Sequence, residues 1–355
     1  MFRDGTLKSG YLGRLRYTST VTHKVTLIPG DGIGPEVSAA ARRAVDATGV
    51  HIDWEVAELN ADIIAKTGQS LPPHVIESLE RTLVGLKGPV TTPVAGGYTS
   101  VNVALRKRLD LFANVRPVRS MPGVVSRFQD VKIDMVIFRE NTEDLYSGLE
   151  HEVVTDVVTS LKVITRTASI RIAEYAFGFA ESAGRKKVAA IHKANIMKLA
   201  DGLFLRCCRE VAARHPGIEY REVIVDNASM QLVMRPEQFD ILLLPNLYGD
   251  IVSDLAAGLV GGLGMVPGAN MGEKHAVFEA VHGSAPDIAG KGIANPTAMM
   301  LSAALMLFHL KEADAAQRLQ AAVEKVYAGR AHTTPDVGGT AGTNEFTDAV
   351  ISALR

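Results

Sequence analysis

The run Phe239 to Leu244, followed by Asn246-Leu247-Tyr248-Gly249-Asp250-Ile251-Val252-Ser253-Asp254, decides how the rest of this chain is read. The run predicts a buried parallel strand. The nine residues after it place Asp250 and Asp254 four apart, on one face of a helix. Like charges at that spacing repel, and for an isolated Asp-x-x-x-Asp the plain reading is a solvated acidic face. Here the pair opens a helix at the end of a buried strand, where open α/β sheets bind ligands. A hard divalent cation relieves the repulsion, because Mg²⁺ takes one or two carboxylates plus substrate oxygens. The stretch therefore predicts an α/β protein with a metal site.

Strand and helix patterns alternate on both sides of it. Lys24–Ile28 reads as a strand, and Pro35 then sits in the first turn of a helix reaching about Ala47, where proline costs least. His51–Leu59 alternates like a half-exposed strand. Ile133–Phe138, Lys187–Ile191 and Arg221–Val225 are further strands, most of them followed by helical periodicity, which predicts a substantial parallel component. Ala298–Leu310 reads as a core helix. Ser147–Thr167 differs: its Val/Thr/Asp alternation without an intervening helix predicts an arm or hairpin able to pair with another subunit.

At 355 residues the chain exceeds what one core usually serves, so two lobes are expected, sharing one sheet in the absence of a linker. A net charge of -1 argues against a nucleic-acid scaffold or a polybasic membrane binder. No segment offers the ~20 apolar residues that span a bilayer. Cys207 and Cys208 are adjacent, which suits neither a disulfide framework nor a zinc site and predicts buried thiols in a reducing compartment. Residues 1–23 carry Arg3, Lys8, Arg14 and Arg16 with Asp4 as the only acid, like a mitochondrial presequence. A non-cleaved extension on a cytoplasmic protein is expected, with the mitochondrial matrix as the alternative.

Gly30-Asp31-Gly32-Ile33-Gly34 invites a dinucleotide-binding reading with Asp53, but its spacing is G-x-G-x-G before Pro35 and not G-x-G-x-x-G. A tight strand-to-helix turn explains these glycines. The hydroxyl-rich loop Thr91–Asn102 runs into Leu105-Arg106, and Arg116, Arg119 and Arg139 follow. Arginines after apolar or strand-like runs near a candidate metal suit a polyanionic carboxylate substrate, because guanidinium forks match carboxylates. Ser100 and Asn102 add neutral partners. Tyr146, in the polar cluster ending the strand at Phe138, can donate a proton beside arginines. Lys193 follows an apolar strand, where a cation is useful if an alkoxide or carbonyl develops nearby. The Gly/Pro-punctuated segment Glu279–Pro296 leads into a helix and reads as a nucleotide-binding loop.

Together these motifs resemble the decarboxylating β-hydroxyacid dehydrogenases, the family of isocitrate, isopropylmalate and homoisocitrate dehydrogenases. The resemblance runs from Lys24 to about Ala349 and is strongest for NAD-dependent isocitrate dehydrogenases. It implies two lobes on a mixed, largely parallel sheet: a cofactor domain of residues 24–110 and 262–355, and a dimerisation and substrate domain of residues 111–261 with a clasp arm at 147–167. It implies that Arg106, Arg116 and Arg139 hold substrate carboxylates and that Tyr146 and Lys193 are the acid–base pair. Asp226, Asp250 and Asp254 would bind Mg²⁺ or Mn²⁺, with Asp250 also counted as catalytic. Lys193 and Asp226 would act in a neighbouring subunit's site, making a homodimer the minimum unit. For NAD, the resemblance implies His282, Gly283, Ala285, Asp287, Ile288 and Asn295 at the adenosine half and Thr92, Asn195 and Glu279 near the nicotinamide. Ser100-Val101-Asn102 matches the isocitrate pattern, where isopropylmalate enzymes carry leucines. Aspartate and isoleucine at 287–288 match the NAD pattern, where NADP-using relatives carry lysine and tyrosine. The expected activity is oxidative decarboxylation of isocitrate; the same chemistry on isopropylmalate or homoisocitrate, and a non-catalytic regulatory subunit, are the alternatives.

Overall fold

The computed structural model describes residues 21–91 and 100–355. The N-terminal extension up to residue 20 and Thr92, expected near the nicotinamide, lie outside them. Up to residue 119 the chain runs through β1 (His23–Ile28), α1 (Gly34–Asp46), β2 (Ile52–Val56), α2 (Ala61–Thr67), α3 (Pro73–Thr82), β3 (Val84–Lys87), α4 (Val101–Arg108) and β4 (Ala113–Arg119). The middle holds β5 (Asp134–Glu140), β6 (Glu150–Val154), β7 (Val157–Ser160), α5 (Arg166–Ser182), β8 (Lys187–His192), α6 (Ala200–Ala212), β9 (Glu219–Ile224) and α7 (Val225–Met234). The last part holds β10 (Ile241–Leu244), α8 (Asn246–Leu259), β11 (Pro267–Met271), β12 (Ala276–Ala280), α9 (Thr297–His309), α10 (Ala313–Gly329) and α11 (Thr343–Leu354).

Ten strands form one sheet in the order β2-β1-β3-β12-β11-β4-β5-β10-β8-β9. Pairing is parallel from β2 to β12 and again from β5 to β9. Between those blocks β12–β11, β11–β4 and β4–β5 are antiparallel, so the two parallel blocks run in opposite directions. The sheet is mixed and largely parallel, as predicted. Its seam at β11–β4 divides five strands drawn from residues 23–87 and 267–280 from five drawn from residues 113–244.

Helices cover the sheet in the way the sequence pattern demands. Most of α9 is buried, including nearly all its Met and Leu side chains, because an all-round apolar helix belongs inside. Its interior Ser302 donates to the carbonyls of Ala298 and Glu279. The first turn of α1 carries Pro35. The glycines before it hold positive φ at Gly30 and Gly32, and a Cβ at either would strike the carbonyl of Pro89 or Ser284. This stretch is a packed turn, consistent with rejecting the dinucleotide fingerprint. Cys207 and Cys208 are buried thiols in α6.

Three sequence boundaries shift. The strand expected over His51–Leu59 ends at Val56, because Ala57 and Leu59 turn inward to a second apolar cluster. Val225 opens α7 instead of closing β9, so Asp226 sits in a helical first turn and not at a strand end. The arm is the hairpin β6–β7, and α5 has already begun at Arg166. The hairpin's valines, Val153, Val154, Val157 and Val158, are exposed. Among the described residues no helix is long and apolar enough to cross a membrane.

Candidate active site

The carboxyl ends of β5 and β10 lie side by side, with Arg139 opposite Leu244 in register. From the second of these ends α8 starts, after Pro245, and carries Asp250 and Asp254 one turn apart. Arg139 is 1% exposed. Its Nε and one terminal nitrogen donate to Asn246 Oδ1 at 2.9 and 2.7 Å, and its other terminal nitrogen donates to Asp250 Oδ1. A Cβ at Gly249 would lie 2.6 Å from Arg139 Cβ, so that glycine makes room for the arginine stem against α8. Arg116, from the neighbouring β4, donates to Ser253 Oγ and lies 3.9 Å from Asp250 and 3.7 Å from Asp254. Tyr146 donates to the second oxygen of Asp250 at 2.5 Å, and its ring centroid lies 4.9 Å from the Arg139 guanidinium carbon.

Burial sets the electrostatics here, and the charged groups then correct it. Burial alone would raise the Asp250 carboxyl, yet Arg139, the Tyr146 hydroxyl and Arg116 together hold it below the usual carboxylate range. Asp254 ends above that range: burial pushes it up, Asp250 adds to the push, and Arg116 only partly compensates. Desolvation, with neighbouring Arg106 and Arg116, brings Arg139 down to about 10. The Tyr146 phenol is raised by burial and by its bond to Asp250, so it keeps its proton at neutral pH.

Arg106 reaches the seam from α4. Its Nε donates to Asn270 Oδ1 at 3.1 Å and a terminal nitrogen to Glu279 Oε1 at 3.2 Å. The register aligns Asn270 with Asn114 and Asn114 with Arg139, so a polar row crosses β11, β4 and β5. Glu279, expected at the nicotinamide, is buried and accepts from Lys87 Nζ at 2.7 Å. Burial pushes its carboxyl up, but Lys87 and Arg106 outweigh that and hold it far below the usual range. Arg119, read as a further substrate arginine beside Arg116 and Arg139, instead pairs with Glu324 at 3.1 Å and is exposed.

Lys193, just past β8, and Asp226, in the first turn of α7, pair with each other at 2.5 Å. That contact lowers the Asp226 carboxyl. Among the described residues of one chain, no three His, Cys, Asp or Glu side chains gather to hold a metal. The two carboxylates of α8 still suit a hard cation in donor chemistry, since they are all-oxygen and stand one turn apart on one helix.

The segment after β12 packs on the glycine turn: Ile33 donates its N–H to Ser284 O at 2.9 Å. His282 keeps Nδ1 against Gly283 O, and its buried Nε2 has no partner among the described residues. Gly283 and Asp287 are exposed, Ala285 and Ile288 half-buried, and Asn195 exposed beside Lys193. The side chain of Asn295 is engaged within the chain. Its amide donates to Asp336 and Tyr327 and its Oδ1 accepts from Thr297, so its side chain is committed to the start of α9. Reading the sequence missed Lys87, Asn114 and Asn270. Only Lys87 carried a signal, a cation ending an apolar strand.

A family model described as isocitrate/isopropylmalate dehydrogenase matches residues 24–350. The chain belongs to this family of dehydrogenases. It is 53% identical over 338 residues to the Arabidopsis thaliana protein named isocitrate dehydrogenase [NAD] catalytic subunit 5, mitochondrial, covering 95% of this chain and 90% of that one. The chloroplastic 3-isopropylmalate dehydrogenase of Solanum tuberosum is 54% identical over 307 residues, covering 86% and 85%. The crystal structure of isocitrate dehydrogenase from Methylococcus capsulatus superposes with a TM-score of 0.91 at 49% identity, over 94% of this chain and 99% of that one. Relatives of this family at similar identity also include chains named regulatory subunits.

Proposed function

We propose that this chain is an NAD-dependent isocitrate dehydrogenase, converting isocitrate to 2-oxoglutarate and CO₂. The observation that carries this reading is the cluster on Asp250. Two buried arginines, a protonated tyrosine hydroxyl and the second carboxylate of α8 meet where two parallel strands end. Guanidinium groups at Arg106, Arg116 and Arg139 suit a substrate with several carboxylates. Asn102 stands four residues before Arg106 on α4, on the same face. Its buried Oδ1 has no partner among the described residues, and with the amide turned end for end its N–H₂ would donate to a carboxylate, which an isopropyl group cannot replace. That favours isocitrate over isopropylmalate.

In this reading Tyr146 stays protonated and delivers its proton to the enolate carbon left by decarboxylation. Lys193 handles the proton of the substrate hydroxyl during oxidation. Lys193 and Asp226 lie together near the surface, and we assign them to the site of an adjoining subunit. Asp250 and Asp254, with Asp226 of the partner subunit, would hold Mg²⁺ or Mn²⁺. Such an ion, when bound, polarises the substrate's hydroxyl and the carbonyl it becomes. Exposed Asp287 is suited to accept the 2′-hydroxyl of NAD and to repel a 2′-phosphate. The relatives' names, which include catalytic and regulatory subunits, favour assembly with related chains over the homodimer expected from sequence. Their mitochondrial labels favour the matrix over the cytoplasm.

The regulatory-subunit reading is favoured by those same relatives. Against it stand Tyr146, Lys193, Asp226, Asp250 and Asp254, all of which carry the side chains the chemistry needs. Assay of the purified protein with isocitrate, isopropylmalate and homoisocitrate, each with NAD and NADP, decides. Turnover of isocitrate with NAD is expected. A higher kcat/KM for isopropylmalate would overturn the substrate assignment, and binding of isocitrate without turnover would establish the regulatory role.

A further inference from the structure

Two fully buried carboxylates, Asp144 and Asp201, each support a segment bearing one of the two acid–base groups. Asp201 Oδ2 accepts the backbone N–H of Lys193 at 2.6 Å. Asp144 Oδ1 accepts the N–H of Leu145, the residue before Tyr146, and its Oδ2 accepts the N–H of Leu247 in the first turn of α8. Asp144 has φ +70° and ψ −150°, a backbone region nearly reserved for glycine. Such a conformation persists only where the surroundings over-determine it.

Lys162 stands between the two carboxylates. Its Nζ lies 2.6 Å from Asp201 Oδ1 and 3.7 Å from Asp144 Oδ1. It also lies 4.2 Å from the ring centroid of Tyr248, two residues before Asp250 on α8. The chain on either side of Lys162 is fixed as well. Val163 O accepts the Asp144 N–H at 2.8 Å, and Leu161 donates its N–H to Leu149 O at 2.9 Å, at the root of the hairpin.

One largely buried cation thus faces two buried anions that hold different stretches of backbone. Removing it leaves two uncompensated carboxylates, and relief requires that the Asp144 segment, the Asp201 segment, or both move. We propose that Lys162 is a positioning residue that sets the Tyr146 and Lys193 segments jointly, by clamping Asp144 and Asp201. The proposal rests on the function proposed above only in taking Tyr146 and Lys193 as the acid–base groups. Lysine suits the position because its ammonium is a compact point charge that attracts two carboxylates and a ring face together.

The test compares the full-length native protein with K162M, K162R and the double variant K162M/D201N. In the double variant the amide oxygen that replaces the Asp201 carboxylate can still accept the Lys193 N–H, and one unpaired buried charge is gone. Amide hydrogen exchange is followed in the peptides around Tyr146 and Lys193, alongside thermal unfolding, kcat and KM for isocitrate. In K162M, exchange should accelerate by roughly tenfold or more in both peptides together, as local opening would require. Its kcat should fall on the order of 10–10²-fold, as slight misplacement of acid–base groups does, with KM within about threefold because the three arginines keep their contacts. K162R should retain most of the protection and rate. K162M/D201N should regain melting temperature without regaining kcat or protection. Acceleration in one peptide alone, or in neither, would overturn the clamp. So would recovery of kcat together with melting temperature in the double variant, which would reduce Lys162 to charge compensation. If K162M does not fold, K162R and the double variant carry the same comparison. A native protein that turns over no substrate refutes the proposed function, and the exchange measurement then still decides the clamp.

Discussion

Asp250 and Asp226 both sit near the start of a helix that follows a parallel strand of the same block, yet their surroundings are opposite. Asp250 has both oxygens engaged, one by Arg139 and one by Tyr146, and Arg116 stands nearby. Asp226 is 68% exposed and holds Lys193. The first arrangement is built by the chain's own packing and is pre-organised before any ligand arrives. The second is held by one surface ion pair, which contributes little to stability in water. A group displayed this way acquires catalytic value only where another surface covers it and excludes water. In the proposed reading the reaction needs both carboxylates, but only Asp250 is also held by buried partners of the fold.

Asp250→Asn probes the buried half and should give the largest effect. It keeps the shape but removes the charge that Arg139 and Arg116 face, so turnover should vanish, beyond the about 10²–10⁴-fold worth of one acid–base group. Melting temperature should fall too, because two buried guanidiniums lose their carboxylate. Asp226→Asn, by contrast, should cost activity while leaving the melting temperature where it is. Equal thermal loss in both variants would erase the contrast. Full activity of the native protein in metal-free, EDTA-treated buffer would remove the metal role from both.

Tyr146→Phe comes next. The hydroxyl is bonded to Asp250 and kept protonated, and losing such a group costs about 10²–10⁴ in rate. Decarboxylation should slow more than hydride transfer, since only the later step takes its proton. Measuring the two partial reactions separately checks this, and unchanged rates in both would leave Tyr146 as packing against Arg139. Replacing Ser100 and Asn102 together by leucine should act on selectivity. Isocitrate kcat/KM should drop by about 10–10²-fold, the worth of a lost hydrogen bond to a charged group, while thermal stability changes little. A similar drop for isopropylmalate would show that the pair does not choose between the substrates.

The parts of this site that were legible in the sequence are those built by local periodicity. Asp250 and Asp254 fall one turn apart on α8, and Arg139 and Lys193 lie at or just past strand ends, because each follows from spacing within one element. The polar row Asn270–Asn114–Arg139 was not legible, since strand register joins residues that lie far apart in the chain. Arg119 could have been set aside earlier: it stands three residues after Arg116 on β4, and side chains an odd number apart point to opposite faces. The side-chain partners of Asn295 were not legible for a related reason. A Gly/Pro-rich loop reveals that it turns, but not that Tyr327 and Asp336 lie waiting for its amide. Lys162 gave no signal at all, because its two partners come from elements on either side of it in sequence.

The smallest effect should come from the cofactor rim, where exposure again predicts function without stability. Asp287 is exposed, and Ile288 donates its N–H to Ala285 O, so this is an ordinary turn whose side chains can be exchanged. If Asp287 only shaped that turn, a lysine there would alter neither cofactor. If it faces the ribose, its carboxylate accepts a hydrogen bond from the 2′-hydroxyl of NAD and repels the dianionic 2′-phosphate of NADP. Asp287→Lys with Ile288→Tyr inverts that charge, so the ratio of kcat/KM for NAD over NADP should fall by on the order of 10-fold, the worth of one charged contact. The shift should stop short of full reversal, because in the proposed reading other residues of the loop would also meet the adenosine half. Melting temperature should stay put, as for Asp226→Asn. A native preference for NADP would refute the assignment outright, and a double variant with an unchanged ratio would return Asp287 to the turn.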